Sequence, residues 1–262
     1  MIPWFDLPVV ALGPLDLDLP SGLGLVGAAV AMAQVGHRAR QAGLSARRAV
    51  DGLLLIMVCG LLFGHTFDVL LYRWSELLAD WHLILPWSGG YCSLGASIGL
   101  VTAVLLCFRT PDAGLRWDYL DHTVLALLLG LGILRTGCFL GHHHAGRLSD
   151  SILAVAYPGG ARHDLGLEEA LLVFGLCAAL LLLERRARSL RPGQLSGIAA
   201  LAYGGGRFAL EFLRGRDIEL IGRHSDAHYV GLTLVQYGAL LLAGAGGGVL
   251  WLRGWRRGDR GA

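Results

Sequence analysis

Seven apolar stretches constrain this chain more than anything else in it. They run near residues 20–36, 50–72, 91–108, 118–137, 168–184, 195–213 and 229–252. As helices rising 1.5 Å per residue, most can cross about 30 Å of hydrocarbon. The first is short and glycine-rich. With 54% hydrophobic and only 16% charged residues, against about 25% charged in a soluble domain, the chain reads as all-α. The expectation is a polytopic membrane helix bundle of about seven transmembrane helices, forming one integral membrane domain over residues 1–262. Gly60, Gly64, Gly95, Gly99, Gly204, Gly205 and Gly206 lie within the stretches. Small residues of this kind let membrane helices approach closely.

The basic residues set the orientation. All 22 are arginine. Arg38, Arg40, Arg47 and Arg48 follow the first stretch, and Arg109 and Arg116 follow the third. Arg185, Arg186, Arg188 and Arg191 follow the fifth; Arg253, Arg256, Arg257 and Arg260 follow the seventh. By the positive-inside rule these loops are cytoplasmic, the N-terminus is outside and the C-terminus is cytoplasmic. Trp74, Trp81 and Trp87 mark the opposite boundary. The remaining arginines, Arg73, Arg135, Arg147, Arg162, Arg207, Arg214, Arg216 and Arg223, fall on the outer side against that bias. Something there requires positive charge. A formal net charge of +2 argues against nucleic acid as a partner. Five scattered cysteines give no paired spacing for a disulfide framework. Asp6, Asp16 and Asp18, with no basic residue in the first twenty, do not read as a cleaved signal peptide.

The segment Arg135-Thr-Gly-Cys-Phe-Leu-Gly-His-His-His-Ala-Gly-Arg147 closes the fourth stretch. A guanidinium at a membrane face costs about 2.5 kcal/mol or more unless something pairs with it. In the later stretches Glu168 and Glu169 open the fifth. Arg207 and Glu211 stand at i, i+4 in the sixth, with Arg214 three residues further on the same face. Arg135, Arg207, Glu169 and Glu211 are placed to form a buried ion-pair network with spare donors, and arginine's planar fork suits two phosphate oxygens at once. An outer-leaflet phospholipid head group is the obvious anion. The run His142, His143, His144 admits three readings: a polar loop, a general base near neutral pKa, or a metal site. Adjacent histidines cannot converge on one ion without a bent backbone, and the usual ligand spacings are absent, so no metal is assigned. His65 and Asp68 share a helical face in the second stretch, where His65 reads as a hydrogen-bonded structural residue.

These residues resemble the bacterial prolipoprotein diacylglyceryl transferase family. Arg135-Thr-Gly-Cys-Phe-Leu-Gly, ending in Gly146-Arg147, is similar to its signature loop. Gly204-Gly-Gly-Arg207-Phe-Ala-Leu-Glu211-Phe-Leu-Arg214 is similar to its late helix. Arg162-His163, followed by Leu167 and Glu169, resembles its His-Pro-x-Gln-x-Tyr-Glu segment. Gly89-Gly90 with Gly95 and Gly99 stands where the family has a glycine-rich third helix, and Gln236 where its last helix has a Gln.

The resemblance implies a plasma-membrane (inner-membrane) enzyme that needs no cofactor. Such an enzyme moves a diacylglyceryl group from phosphatidylglycerol to the lipobox cysteine of a lipoprotein precursor. Carried over by position, Arg135 and Arg207 are the head-group and leaving-phosphate residues, with Arg214 beside them; Gly146, Glu211 and Glu169 shape the pocket. The base falls to His142, His143 or His144, because Leu94-Gly95-Ala96 stands where the family has His-Gly-Gly. Ser21 takes the place of the family's tyrosine and His65 that of an arginine. Two alternatives stay open: a protein of the same fold that binds anionic phospholipid or lipopeptide without chemistry, and a lipid-group transferase with another acceptor.

Overall fold

The computed structural model describes residues 1–7, 10–12, 15–17, 19–85, 88–107, 113–187, 190–215 and 228–255. Trp87, Asp18, Arg109, Arg188, Arg216, Arg223, Arg256, Arg257 and Arg260 lie outside the described residues, as does the side chain of Ser21.

A helix occupies each apolar stretch. Within hydrocarbon a helix satisfies every backbone group internally, which leaves an apolar run little else to become. After the short strands β1 (Val10–Leu12) and β2 (Leu15–Leu17) come α1 (Leu19–Gln41), α2 (Ala46–Tyr72), α3 (Trp74–Ala79), α4 (Ser93–Cys107) and α5 (Ala113–Leu140). Strands β3 (Ala145–Leu148), β4 (Val155–Tyr157) and β5 (Gly160–Asp164) separate α5 from α6 (Leu165–Arg186). Then follow α7 (Gln194–Leu210), a 3-10 turn over Glu211–Leu213, strands β6 (His228–Tyr229) and β7 (Leu232–Thr233), and α8 (Leu234–Trp255).

Among the described residues four segments, Ala46–Tyr72, Leu115–Leu140, Leu165–Arg186 and Leu234–Arg253, are long and apolar enough to cross a membrane, and α4 is a shorter apolar helix. Helix α2 turns Leu54, Leu61 and Leu62 outward, as a lipid-facing side requires. The sequence did not announce α3, or the turn over Trp81–Ile84 that follows it.

Helix α1 packs along α5, α2 along α4, α6 along α5 and α7 along α8. Glycine lets these pairs close, as Gly99 does where α4 meets α2: a Cβ there would lie 2.4 Å from the Cys59 carbonyl oxygen. A Cβ at Gly27 would lie 2.5 Å from the Gly130 carbonyl oxygen, and one at Gly204 would lie 2.6 Å from that of Ala239. Buried His65 ties α2 to the segment before α4. Its Nδ1 is 3.1 Å from the Gly90 carbonyl and its Nε2 is 3.2 Å from that of Leu83, so it does the structural work expected of it.

The two ends of the bundle differ. At one, Arg38 of α1 pairs with Glu184 of α6 at 2.6 Å. Asp121 of α5 accepts from the backbone of Gly193 and Ser196 at 2.7 and 2.8 Å, capping α7 from outside. Arg191 donates to the Arg253 carbonyl at the end of α8. At the other end lies a three-stranded antiparallel sheet in the order β3–β5–β4, to which Ile2 adds a parallel bridge at Val155. The sheet was not legible in the sequence. Its tight turn is Pro158-Gly159, with Gly159 at φ 92, the left-handed position that a type II turn reserves for glycine.

Candidate functional site

The end of α5 decides where the histidines go. His142 adopts a left-handed backbone (φ 49). Its N–H donates to the Phe139 carbonyl, and the His143 N–H donates to that of Cys138, both at 3.0 Å. These are the two bonds of a Schellman helix end, with histidine where glycine is usual. The left-handed step sends the three rings to different places.

His142 is buried. Its ring stacks on Trp4 at 4.1 Å, Nδ1 is 3.3 Å from Asp164 Oδ2, and Nε2 is 3.0 Å from the Phe5 carbonyl. Asp164, fully buried, also accepts from the Tyr157 hydroxyl at 2.7 Å and caps α6 through the Leu167 N–H at 3.1 Å. Burial pushes the Asp164 carboxyl upward, against the lowering effect of its hydrogen bonds. His143 is exposed, its ring lying against Gly141. His144 turns the other way, toward the arginines.

Arg135 leaves α5 one turn before the helix end. Its Nη1 donates to His144 Nε2 at 3.2 Å. A guanidinium only donates, so His144 accepts on Nε2 and carries any ring proton on Nδ1. Burial, then the charges of Arg135, Arg214 and Arg207, hold the His144 imidazole well below its ordinary value, so it is neutral at physiological pH. Arg135 Nε lies 3.0 Å from Glu169 Oε1. That N–H nevertheless finds no aligned acceptor among the described residues.

Glu169, in the first turns of α6 and 2% exposed, joins the two long helices. Its Oε1 accepts from the Tyr203 hydroxyl at 2.8 Å, and its Oε2 lies 3.3 Å from Arg207 Nε. Arg207, buried on α7, donates through Nη1 to Glu211 Oε2 at 2.9 Å. Glu211 also receives Nε and Nη2 of Arg214, and the Thr233 hydroxyl at 3.4 Å. Thr233 and Gln236 exchange side-chain-to-backbone bonds at 3.0 and 3.2 Å, a capping box that starts α8 and holds Thr233 against Glu211.

Gly146 links the loop to this network. It bridges Arg214 in antiparallel fashion, and its carbonyl accepts from Arg162 Nη1 at 3.1 Å. A Cβ at position 146 would meet the Leu213 carbonyl oxygen at 2.6 Å, so only glycine lets the loop approach the end of α7.

The structure therefore brings together Arg135, His144, Gly146, Glu169, Arg207, Glu211 and Arg214, and takes His142 and His143 elsewhere. Sequence reasoning passed over Tyr203, although its i, i+4 spacing from Arg207 was an available signal. It also passed over Thr233, which has no such signal. Three guanidinium groups face two carboxylates and a neutral imidazole. Among these named residues the guanidinium groups outnumber the carboxylates by one, and a planar guanidinium can donate to two oxygens of one anion.

The comparisons agree on one family. Residues 9–246 match the profile described as prolipoprotein diacylglyceryl transferase. A phosphatidylglycerol–prolipoprotein diacylglyceryl transferase of Pasteurella multocida is 30% identical over 251 residues, covering 92% of each chain. A protein of that name from Solidesulfovibrio magneticus is 30% identical, covering 92% of this chain and 95% of its own. One from Brucella ovis is 32% identical over 183 residues, covering 67% and 64% respectively.

Proposed function

The chain belongs to the prolipoprotein diacylglyceryl transferase family, and from that premise we propose that it transfers a diacylglyceryl group from phosphatidylglycerol to the thiol of a lipobox cysteine in a lipoprotein precursor. The observation that carries the reading is the surplus positive charge of the Arg135–Glu169–Arg207–Glu211–Arg214 cluster. A phosphodiester carries one negative charge, which that surplus balances. Arg135 has an Nε–H without an aligned acceptor among the described residues, so it is the arginine with donor capacity in hand. In the transition state, charge builds on the phosphate oxygen as its bond to glyceryl carbon breaks. Preorganised donors in a water-poor pocket stabilise that charge. Glu169 and Glu211 hold Arg207 from two sides, Tyr203 steadies Glu169, and neutral His144 takes a hydrogen bond from Arg135 without adding a fourth cation.

The proposal extends to placement. The helices α1, α2, α4, α5, α6, α7 and α8 are read as seven spans of one integral membrane domain in the bacterial plasma membrane, with the N-terminus outside and the C-terminus cytoplasmic. Arg38, Arg191 and Arg253 gather at one end of the bundle, which supports that end as cytoplasmic. The arginine cluster and the small sheet then face the outer leaflet, where a secreted precursor can arrive.

A second reading rests on Leu94. It begins α4 with its backbone against Gly238 of α8 and supplies no proton acceptor where the family has histidine. On that reading the protein binds an anionic lipid or lipopeptide without turnover. Purified protein, phosphatidylglycerol and a lipobox peptide decide between the two, with the thioether product followed by mass spectrometry. Product formation abolished by Arg135→Ala is the expected result. Bound phosphatidylglycerol without product supports the second reading, and full activity after Arg135→Ala overturns the first.

A further inference from the structure

We propose that His163, oriented by Glu168, is the general base that takes the proton of the acceptor thiol; this rests on the transferase reading above. The thiolate is the nucleophile, so a base is needed within reach of the arginine cluster. A histidine suits the task when one ring nitrogen is held by a carboxylate and the other is open.

The histidines on this side differ in that respect. Both nitrogens of His142 face acceptors, Asp164 and the Phe5 carbonyl, and its ring is stacked on Trp4. His144 spends Nε2 on Arg135, and protonating it would place a fourth cation among Arg135, Arg207 and Arg214. His143 is exposed and has no carboxylate partner among the described residues.

His163 meets the requirement. It stands on β5 beside Gly146: a Cβ at position 146 would lie 2.7 Å from the His163 Cβ. Gly146 in turn bridges Arg214, so the imidazole is a near neighbour of the cluster. Its Nδ1 pairs closely with Glu168 Oε1, and its Nε2 makes no hydrogen bond among the described residues. The side chain is 19% exposed and that of Glu168 is 11% exposed, so the pair is sheltered but reachable. Glu168 Oε2 is buried and makes no hydrogen bond among the described residues, which leaves the carboxylate committed to His163. Consecutive residues of α6 thus serve two sides: Glu169 holds the arginines and Glu168 the imidazole. The Nδ1 proton donated to Glu168 leaves the Nε2 lone pair free.

In the step itself, the cysteine S–H proton passes to His163 Nε2 and Glu168 stabilises the imidazolium. The sulfur lone pair forms the C–S bond to the glyceryl carbon that bears the phosphate. The C–O bond breaks, its electron pair leaves with the phosphate oxygen, and glycerol phosphate departs. The imidazolium then returns its proton to water.

The test is the pH dependence of kcat/KM for the wild type, His163→Gln and Glu168→Gln, with phosphatidylglycerol and a lipobox peptide, alongside phosphatidylglycerol retention by native mass spectrometry. His163→Gln is expected to lose on the order of 100-fold at pH 7 while keeping bound lipid. Its rate should then climb about tenfold per pH unit toward about 8.5, where a free thiol ionises unaided. Glu168→Gln should lose rate in the wild-type background and lose nothing further when added to His163→Gln, with bound lipid kept in both, because its effect runs through the imidazole. A His163→Gln rate within threefold of the wild type at pH 7 overturns the proposal, as does a rate loss matched by lipid loss and flat with pH. No product from the wild type overturns the transferase reading itself, and this proposal falls with it.

Discussion

Replacing Gly146 by alanine tests whether the loop's close approach to the end of α7 matters to the site. The added methyl would stand 2.6 Å from the Leu213 carbonyl oxygen, 2.7 Å from His163 Cβ and 2.8 Å from Leu165 Cδ1. Comfortable separations are about 3.5–4.0 Å, so β3 and the segment carrying Arg214 must part by roughly 1 Å. Two of the three obstacles are a backbone oxygen and a Cβ, which cannot swing aside as a side-chain tip would. Overpacking of this kind costs about 1–3 kcal/mol. The larger effect falls on rate: the Gly146–Arg214 bridge carries the displacement into Glu211, and a misplacement of about 1 Å costs on the order of 100-fold. Transferase rate and thermal midpoint in detergent are measured for Gly146→Ala and for Gly205→Ala, whose Cβ would meet nothing within 4 Å. Gly205→Ala should match the wild type, while Gly146→Ala should lose rate far more than stability. A Gly146→Ala protein within twofold of the wild-type rate and with an unchanged midpoint would refute the reasoning.

Two further outcomes follow from the cluster. Arg207→Lys keeps the charge but cannot reach Glu169 and Glu211 with separate nitrogens; it should cost about 1.5–3 kcal/mol, the value of one charged hydrogen bond, read by chemical denaturation in mixed micelles, and equal stability would argue against the bridge. His144 has its folded-state value below the ordinary 6.5, so on acidification the unfolded chain binds that proton first. The stability it contributes is therefore complete above about pH 6.5 and lost as pH falls below it. The thermal midpoint should drop less between pH 7.5 and 5 for His144→Gln, which accepts from Arg135 without titrating, than for the wild type; equal drops would contradict this.

The sequence made the helices legible because a bilayer sets a minimum apolar length. It did not mark their ends. Helix α1 runs to Gln41, past the last apolar residue of its stretch, because a helix need not stop where hydrocarbon does. The pairing of Glu211 with both Arg207 and Arg214 followed from their spacing along the chain, whereas no spacing singled out Glu169 over its neighbour Glu168 for the arginines. The small sheet was invisible. Its strands are three to five residues long and lean on Ile2, more than 140 residues away in the chain. The fate of the histidine run was equally hidden, since it hangs on a single left-handed residue, His142, held by Trp4, Phe5 and Asp164. Local pattern cannot report a partner that arrives from the other end of the molecule.

The odd cation of the cluster bears on how a turnover would finish. On the proposed reading, a phosphodiester bound at the cluster leaves it electrically even. The monoester that bond cleavage would release carries close to two negative charges at neutral pH, one more than the cluster would balance. An unmatched charge away from water is costly, so cleavage turns a satisfied guest into one drawn back to the aqueous side. Expulsion of the spent head group would then need no separate moving part.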